Sequence, residues 1–180
     1  MRSFKVNDEI DLRLYEEKDA LALYRVVTTN YEHLRPFLHW VTPDYSLETA
    51  KEFIVQNHLL HAAKKSTAYG IFFRGGFAGS IGFVKLGWIS RVAEIGYWIG
   101  REFAGRGIIT KSCQVLIDHA FDELEMNRVE IRCAIENTKS RAIPERLGFV
   151  QEGVLRQAVW RHTRFYDVAV YGLLAEDWRK

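Results

Sequence analysis

The sequence predicts a single α/β domain built on a mixed sheet, covering residues 1–180. Three observations carry that expectation. Apolar spacing switches repeatedly between the helical and the extended period along the chain. A β-rich run at 92–99 passes through a glycine-containing loop into a helical run. Two late crossovers, each strand to helix to strand, imply some parallel pairing. A length of 180 residues suits one domain and is short for two, and no linker-like stretch divides it.

Each element has its own signal. Ile10 to Tyr15 alternates apolar and polar, which predicts a strand. Asp19 precedes a helix carrying Ala20, Leu21, Leu23, Tyr24 and Val27, with an acidic first turn. Tyr31 to Leu34 is a short helix stopped by Pro36, and Ser46 caps a longer one with Ala50, Phe53, Ile54 and Leu60 on one face. Thr67–Phe73 and Phe77–Trp88, joined by Arg74-Gly75-Gly76, read as a hairpin in which Ile81 and Phe83 face one way and Val84 and Leu86 the other. Val92–Ile99 is apolar on both faces at its end, the mark of a central strand. Residues 101–107 form a loop, and Ile109, Cys113, Leu116, Ala120 and Leu124 then keep helical spacing. Arg128–Cys133 alternates as a strand, Ser140–Leu147 is a short helix closed by Gly148, and two strands near 150–160 and 165–174 finish the chain.

Composition narrows the function. The 25 basic and 23 acidic residues balance to +2 and are spread evenly, so no basic field points to nucleic acid. No apolar run approaches the ~18 residues of a membrane span, and the charged start, Met1-Arg2-Ser3-Phe4-Lys5 followed by Asp8-Glu9, does not read as a signal peptide. Cys113 and Cys133 fall on apolar positions without metal spacing, so they are expected as buried free thiols in a reducing cytoplasm. His58 and His61 have no third ligand beside them, and no metal site is expected.

The most informative stretch is Gly105-Arg106-Gly107-Ile108-Ile109-Thr110, where a turn opens a helix. A helix start offers unpaired N–H groups and the positive end of the helix dipole. Glycines let a phosphate oxygen approach those amides, and Arg106 adds charge, so the physical expectation is a pyrophosphate cradle. A dinucleotide fingerprint would need a third glycine where Thr110 stands, and the Gly-Lys-Ser/Thr of a P-loop is absent. A Gly-x-Gly turn alone equally fits an ordinary tight turn.

The surrounding blocks carry more. Glu94-Ile95-Gly96-Tyr97-Trp98-Ile99 leads to the glycine turn; Asn137-Thr138-Lys139-Ser140 leads to Pro144-Glu145-Arg146-Leu147-Gly148-Phe149; Tyr166-Asp167-Val168 leads to Tyr171. In this order the chain resembles the GCN5-related N-acetyltransferases (GNAT), in the branch that acetylates the N-terminal serine or alanine of ribosomal proteins. The resemblance implies a mixed sheet splayed at the cofactor strand, helices on both faces, and acetyl-CoA as cofactor. It places Tyr97, Trp98, Ile99, Phe103, Gly105, Arg106, Gly107, Ile108, Thr110, Asn137 and Ser140 around coenzyme A. It also implies direct attack by an amine on the thioester, whose carbonyl a main-chain N–H of the Tyr97–Ile99 strand polarises.

Departures from the pattern bear on the chemistry. Many members place a tyrosine acid where this chain has Pro144; the ribosomal-protein-serine branch uses a serine that matches Ser140. That branch's glutamate base falls on Val159. The base then lies between Glu94, on the same strand face as Gly96 and Trp98 but with an ion pair to a neighbouring arginine as its favoured alternative, and no dedicated base. The second option suits an α-amine, whose pKa is ~7.7–8.0, better than a lysine near ~10.4. Ser140 also stands where a helix begins, so a capping role is an equal alternative.

For the acceptor, Phe37, His39 and Trp40 from the early helices and Trp160, Arg161, His162 and Arg164 from the last hairpin are the candidates. The reading is an N-acetyltransferase acting on a protein N-terminus. The alternatives are a small-amine acetyltransferase and a non-catalytic CoA-binding module. The expected partner is a protein N-terminus or a small amine, without nucleic acid or membrane, and a homodimer stays open.

Overall fold

The computed structural model describes residues 3–179. Met1 and Arg2, part of the charged start noted above, lie outside them. Eight strands form one sheet: β1 (Ser3–Lys5), β2 (Ile10–Leu14), β3 (Thr67–Phe73), β4 (Gly76–Gly87), β5 (Val92–Ile99), β6 (Arg128–Ala134), β7 (Val150–Arg161) and β8 (Arg164–Leu174). Their order across the sheet is β1-β2-β3-β4-β5-β6-β8-β7. The helices are α1 (Ala20–Thr29), α2 (Tyr31–Leu34), α3 (Leu47–Ala62), α4 (Ile108–Asp122), α5 (Thr138–Arg146) and α6 (Ala175–Trp178). The mixed α/β class is as expected. β1 and α6 are additions that were too short to leave a period in the sequence.

The sheet has an apolar core on each face. On one, α4 sends Ile109, Cys113, Leu116, Ile117 and Ala120 against Leu12, Ile81, Phe83, Ile95, Val129 and Ile131. On the other, α1 and α3 bury Leu23, Val27, Ala50 and Ile54 with Tyr15, Phe72 and Phe77. The alternation read in 128–133 holds, with Val129, Ile131 and Cys133 buried. Ser46 caps α3 as expected, accepting from the Thr49 N–H at 3.1 Å.

Some parallel pairing is present as expected: among the described strands β5 and β6 are parallel neighbours, while the second crossover lands β7 beyond β8, which separates it from β6 and pairs antiparallel with both. Two expectations need correction. Leu86 does not face away from Phe83. A bulge at Val84 pairs Phe83 with Ile95 and Leu86 with Ala93, which puts both on the same core, because one extra residue flips the strand's parity. The expected acidic first turn of α1 is absent, and Asp19 stands just before the helix. It is buried in the 3-10 turn that leads into the helix, bonded to both Nη atoms of Arg13 at 2.7 and 2.8 Å and to the Glu16 N–H at 2.7 Å.

Candidate active site

The site begins where two central strands part. β5 pairs with β6 from Val92 to Ile95, opposite Arg128 to Ile131, and no further. β5 continues along β4 to the Gly79–Ile99 pair, while β6 follows β8 to the Ala134–Val168 pair. From Gly96 on, alternate backbone groups of β5 therefore face a gap rather than a strand, and unpaired backbone groups are strong sites for an extended ligand. The gap opens into a cleft of about 1850 Å³ that runs from α3 to the start of α4 and α5.

At one end lies the glycine turn. Gly105 and Gly107 have φ of +77° and +73°, a region that L side chains resist, and the space a Cβ would fill at either is open. Gly107 leads directly into the 15-residue α4, so the free amides of its first turn face the cleft. Ile108, Thr110 and Lys111 line it, with Phe103 on the approach. The turn is pinned by buried Asn30, whose Oδ1 accepts the Arg101 N–H at 2.7 Å. Arg106 departs from expectation: it is not among the cleft residues, and its guanidinium lies 5.7 Å from the centre of the Phe73 ring. Lys111 and Arg146 supply cations there instead, Arg146 Nη1 donating to Thr110 Oγ1 at 3.2 Å.

At the fork stand Tyr97 and Ser140. Asn137, not Ser140, is the N-cap of α5: its Oδ1 accepts the Ser140 N–H at 3.2 Å. That removes the capping alternative for the Ser140 hydroxyl. Ser140 Oγ donates to the Tyr97 hydroxyl at 3.3 Å, and the Tyr97 hydroxyl donates to the Ser140 carbonyl at 2.9 Å. Burial holds the Tyr97 phenol well above its ordinary pKa, so it keeps its proton. Cys133 lines the same cleft, but burial pushes its thiol up to about 11. Cys113 is fully buried and shifted the same way. Neither is a thiolate at neutral pH, which argues against a covalent acyl carrier.

The acceptor candidates divide. Phe37 and Trp40 line the cleft, and Trp40 packs edge-on against Trp98, with ring centres 5.9 Å apart. His39, Trp160 and His162 are not among its lining residues. Trp160 packs on Phe165, at 4.8 Å, on the exposed side of the hairpin, and His162 donates to the Arg35 carbonyl at 2.8 Å, tying the hairpin tip to the segment after α2. Glu94 also stays out of the cleft; it is paired with Arg132 at 3.7 Å, and burial raises its pKa against that pairing. Val159 sits opposite Tyr166 in the hairpin. Among the cleft residues absent from the sequence candidates are His33 and Glu52, whereas Arg161, one of the hairpin candidates, does line the cleft. His33 is held below its ordinary pKa by burial, then by Lys139 and Arg101, and so is neutral at pH 7. No motif marks it, since its place comes from packing against the end of β5.

The family comparison settles the class. Residues 9–150 match the acetyltransferase (GNAT) domain model. This chain belongs to the GNAT acetyltransferase family. It is 40% identical over 179 residues to YdaF of Bacillus subtilis (strain 168), which is provisionally named a ribosomal N-acetyltransferase, covering 99% of this chain and 98% of that one. A structure of RimL, a ribosomal L7/L12 alpha-N-protein acetyltransferase in complex with coenzyme A, superposes with a TM-score of 0.92 at 30% identity, covering 96% and 98% of the two chains. The microcin C7 self-immunity acetyltransferase MccE, in complex with acetyl-CoA and AMP, gives 0.91 at 30% identity, covering 95% of each. The GNAT chain described here is accordingly an N-acetyltransferase that uses acetyl-CoA, and the open glycine cradle and splayed β5 fit that cofactor. Among the described residues no helix is long and apolar enough to cross a membrane, and no group of three or more His, Cys, Asp or Glu could hold a metal ion.

Proposed function

We propose that this enzyme, one acyl-CoA N-acyltransferase domain over 1–180, acetylates the N-terminal α-amine of a protein, with a ribosomal protein as the first candidate. The observation that carries the reading is the charge of the cleft. Its acids are Glu52 and Glu136, against Arg101, Lys111, Arg132, Lys139, Arg146 and Arg161. A polycationic amine would enter an unfavourable field there, whereas a peptide end carrying one amine is tolerated. The names of YdaF and RimL support the same reading. MccE, seen with AMP, supports a second one, a small molecule that carries an amine and an anion.

Acetyl-CoA supplies an acetyl group already activated as a thioester. The backbone of β5 beyond Ile95 holds the pantetheine arm as an added strand, Asn137 fixes the start of α5, and the glycine turn takes the pyrophosphate. Ser140 Oγ passes its proton to the departing sulfur as the new C–N bond forms and the C–S bond breaks, and solvent, which receives the proton shed by the attacking nitrogen, returns one to Ser140. Its bond to Tyr97, 3.3 Å long, exceeds the ~2.7–2.8 Å of a strong O–H···O bond and is easily surrendered. No carboxylate base is needed, because an α-amine with pKa ~7.7–8.0 is partly neutral at pH 7; water takes its proton. The test is CoA release with a panel of N-terminal peptides and small amines. Peptides should lead, with kcat/KM rising tenfold per pH unit and levelling near pH ~8, where the amine itself titrates. A flat profile from pH 6 would establish a protein base, and turnover confined to polyamines would overturn the acceptor.

A further inference from the structure

Arg161 ends β7 with only 9% of its surface exposed, yet it lines the cleft. Its Nη1 is buried with no hydrogen-bond partner among the described residues. The guanidinium lies 5.2 Å from the centre of the Tyr166 ring, which Arg164 also covers at 4.4 Å. Glu136 acts on it through space, but the ion pair that acid makes is with Arg164, at 3.9 Å. Burial draws the Arg161 guanidinium below its ordinary pKa, though an arginine keeps its charge all the same. A buried cation with a free fork is costly unless something is brought to it.

Its position is built rather than incidental. Arg161 is paired with Arg164 across the hairpin. The next residue, His162, adopts a φ of +53° and anchors the tip on the Arg35 carbonyl. The fork is thereby held in the cleft wall instead of swinging free.

We propose that Arg161 receives a carboxylate carried by the acceptor close to its amine. This rests on the reading that the cleft acetylates an amine. One negative charge matches one buried cation, and a planar carboxylate fits a guanidinium fork. A dianionic phosphate would meet the repulsion of Glu136. Two sources offer this group: an acidic side chain near a protein N-terminus, and the α-carboxylate of a free amino acid.

The experiment compares peptides differing only in Asp or Asn at the second position, and serine with serinamide. Both pairs are measured for CoA release and, by calorimetry, for binding to the CoA-saturated protein. The wild type should favour the carboxylate member of one pair by about tenfold, mainly through KM, and the pair that responds identifies the source. Arg161→Gln should bring that ratio to about one, and Arg161→Lys, which keeps the charge, to an intermediate value. Far-UV circular dichroism verifies that both variants fold. Equal binding of both members of each pair by the wild type, or a ratio that survives in Arg161→Gln, overturns the inference. Arg161-dependent binding with no turnover of any amine overturns the acceptor reading and leaves the carboxylate site standing.

Discussion

The proposed role of Ser140 rests on two other side chains that leave its hydroxyl free of capping and aim it at Tyr97. Asn137 takes over the capping duty through the Ser140 N–H, and Tyr97 receives the hydroxyl from a strand 43 residues away in sequence. Ser140→Ala should therefore lower kcat by about 10²-fold, the low end for a proton-transfer group, with CoA affinity unchanged. Tyr97→Phe should cost about three- to tenfold, because it removes an acceptor for a weak bond but no reacting proton; single-turnover CoA release separates the two. Ser140 was legible through its motif block. Its bond to Tyr97 was not: the resemblance places Tyr97 on the cofactor strand, but nothing in the chain says that its hydroxyl meets α5. Glu94 follows the ion-pair alternative read from the sequence: Arg132 on the neighbouring strand claims it at 3.7 Å.

The turn leading into α4 is the element whose role was clearest in advance. Gly-x-Gly before a helix implies open amides, and Gly105 and Gly107 do take left-handed conformations with nothing beside them. Gly107→Ala should cost about 1 kcal/mol of stability for the left-handed backbone. It should weaken CoA binding at least about tenfold, since the new methyl group would stand in the free space of the cradle. A thermal melt and CoA titration on one preparation distinguish the effects. The bulge in β4 was illegible for a physical reason. Val84 and Leu86 share one parity, so alternation alone sets Leu86 with Val84, and only the pairing of Lys85 with Glu94 and of Leu86 with Ala93 moves Leu86 to the face of Phe83.

The fold as a whole depends on joining two cores across one sheet, and Arg13 with Asp19 forms one of the joints. Arg13 leaves β2, covers the Phe72 ring at 3.9 Å and grips Asp19 at the entry to α1. Asp19→Asn should destabilise by about 2 kcal/mol, below the ~3–5 of a fully buried pair, because the Arg13 side chain remains 27% exposed. Burial pushes the Asp19 carboxyl up, but Arg13 and the Glu16 N–H prevail and hold it below its ordinary pKa. The contribution is thus complete above the unfolded value of ~3.9 and is lost as pH falls through the lower folded value. Urea midpoints of wild type and Asp19→Asn should differ by a constant amount above pH 5 and converge in acid. Element types, the hairpin at 74–76, the glycine turn before α4 and the absence of a long apolar span were readable from the chain alone, because each depends on neighbours a few residues apart. Which strands part, which cations enter the cleft, and which of Arg106, Glu94 and Arg161 lines it depended on the folded chain. Those outcomes are set by contacts between segments tens of residues apart, and local periodicity carries no record of them.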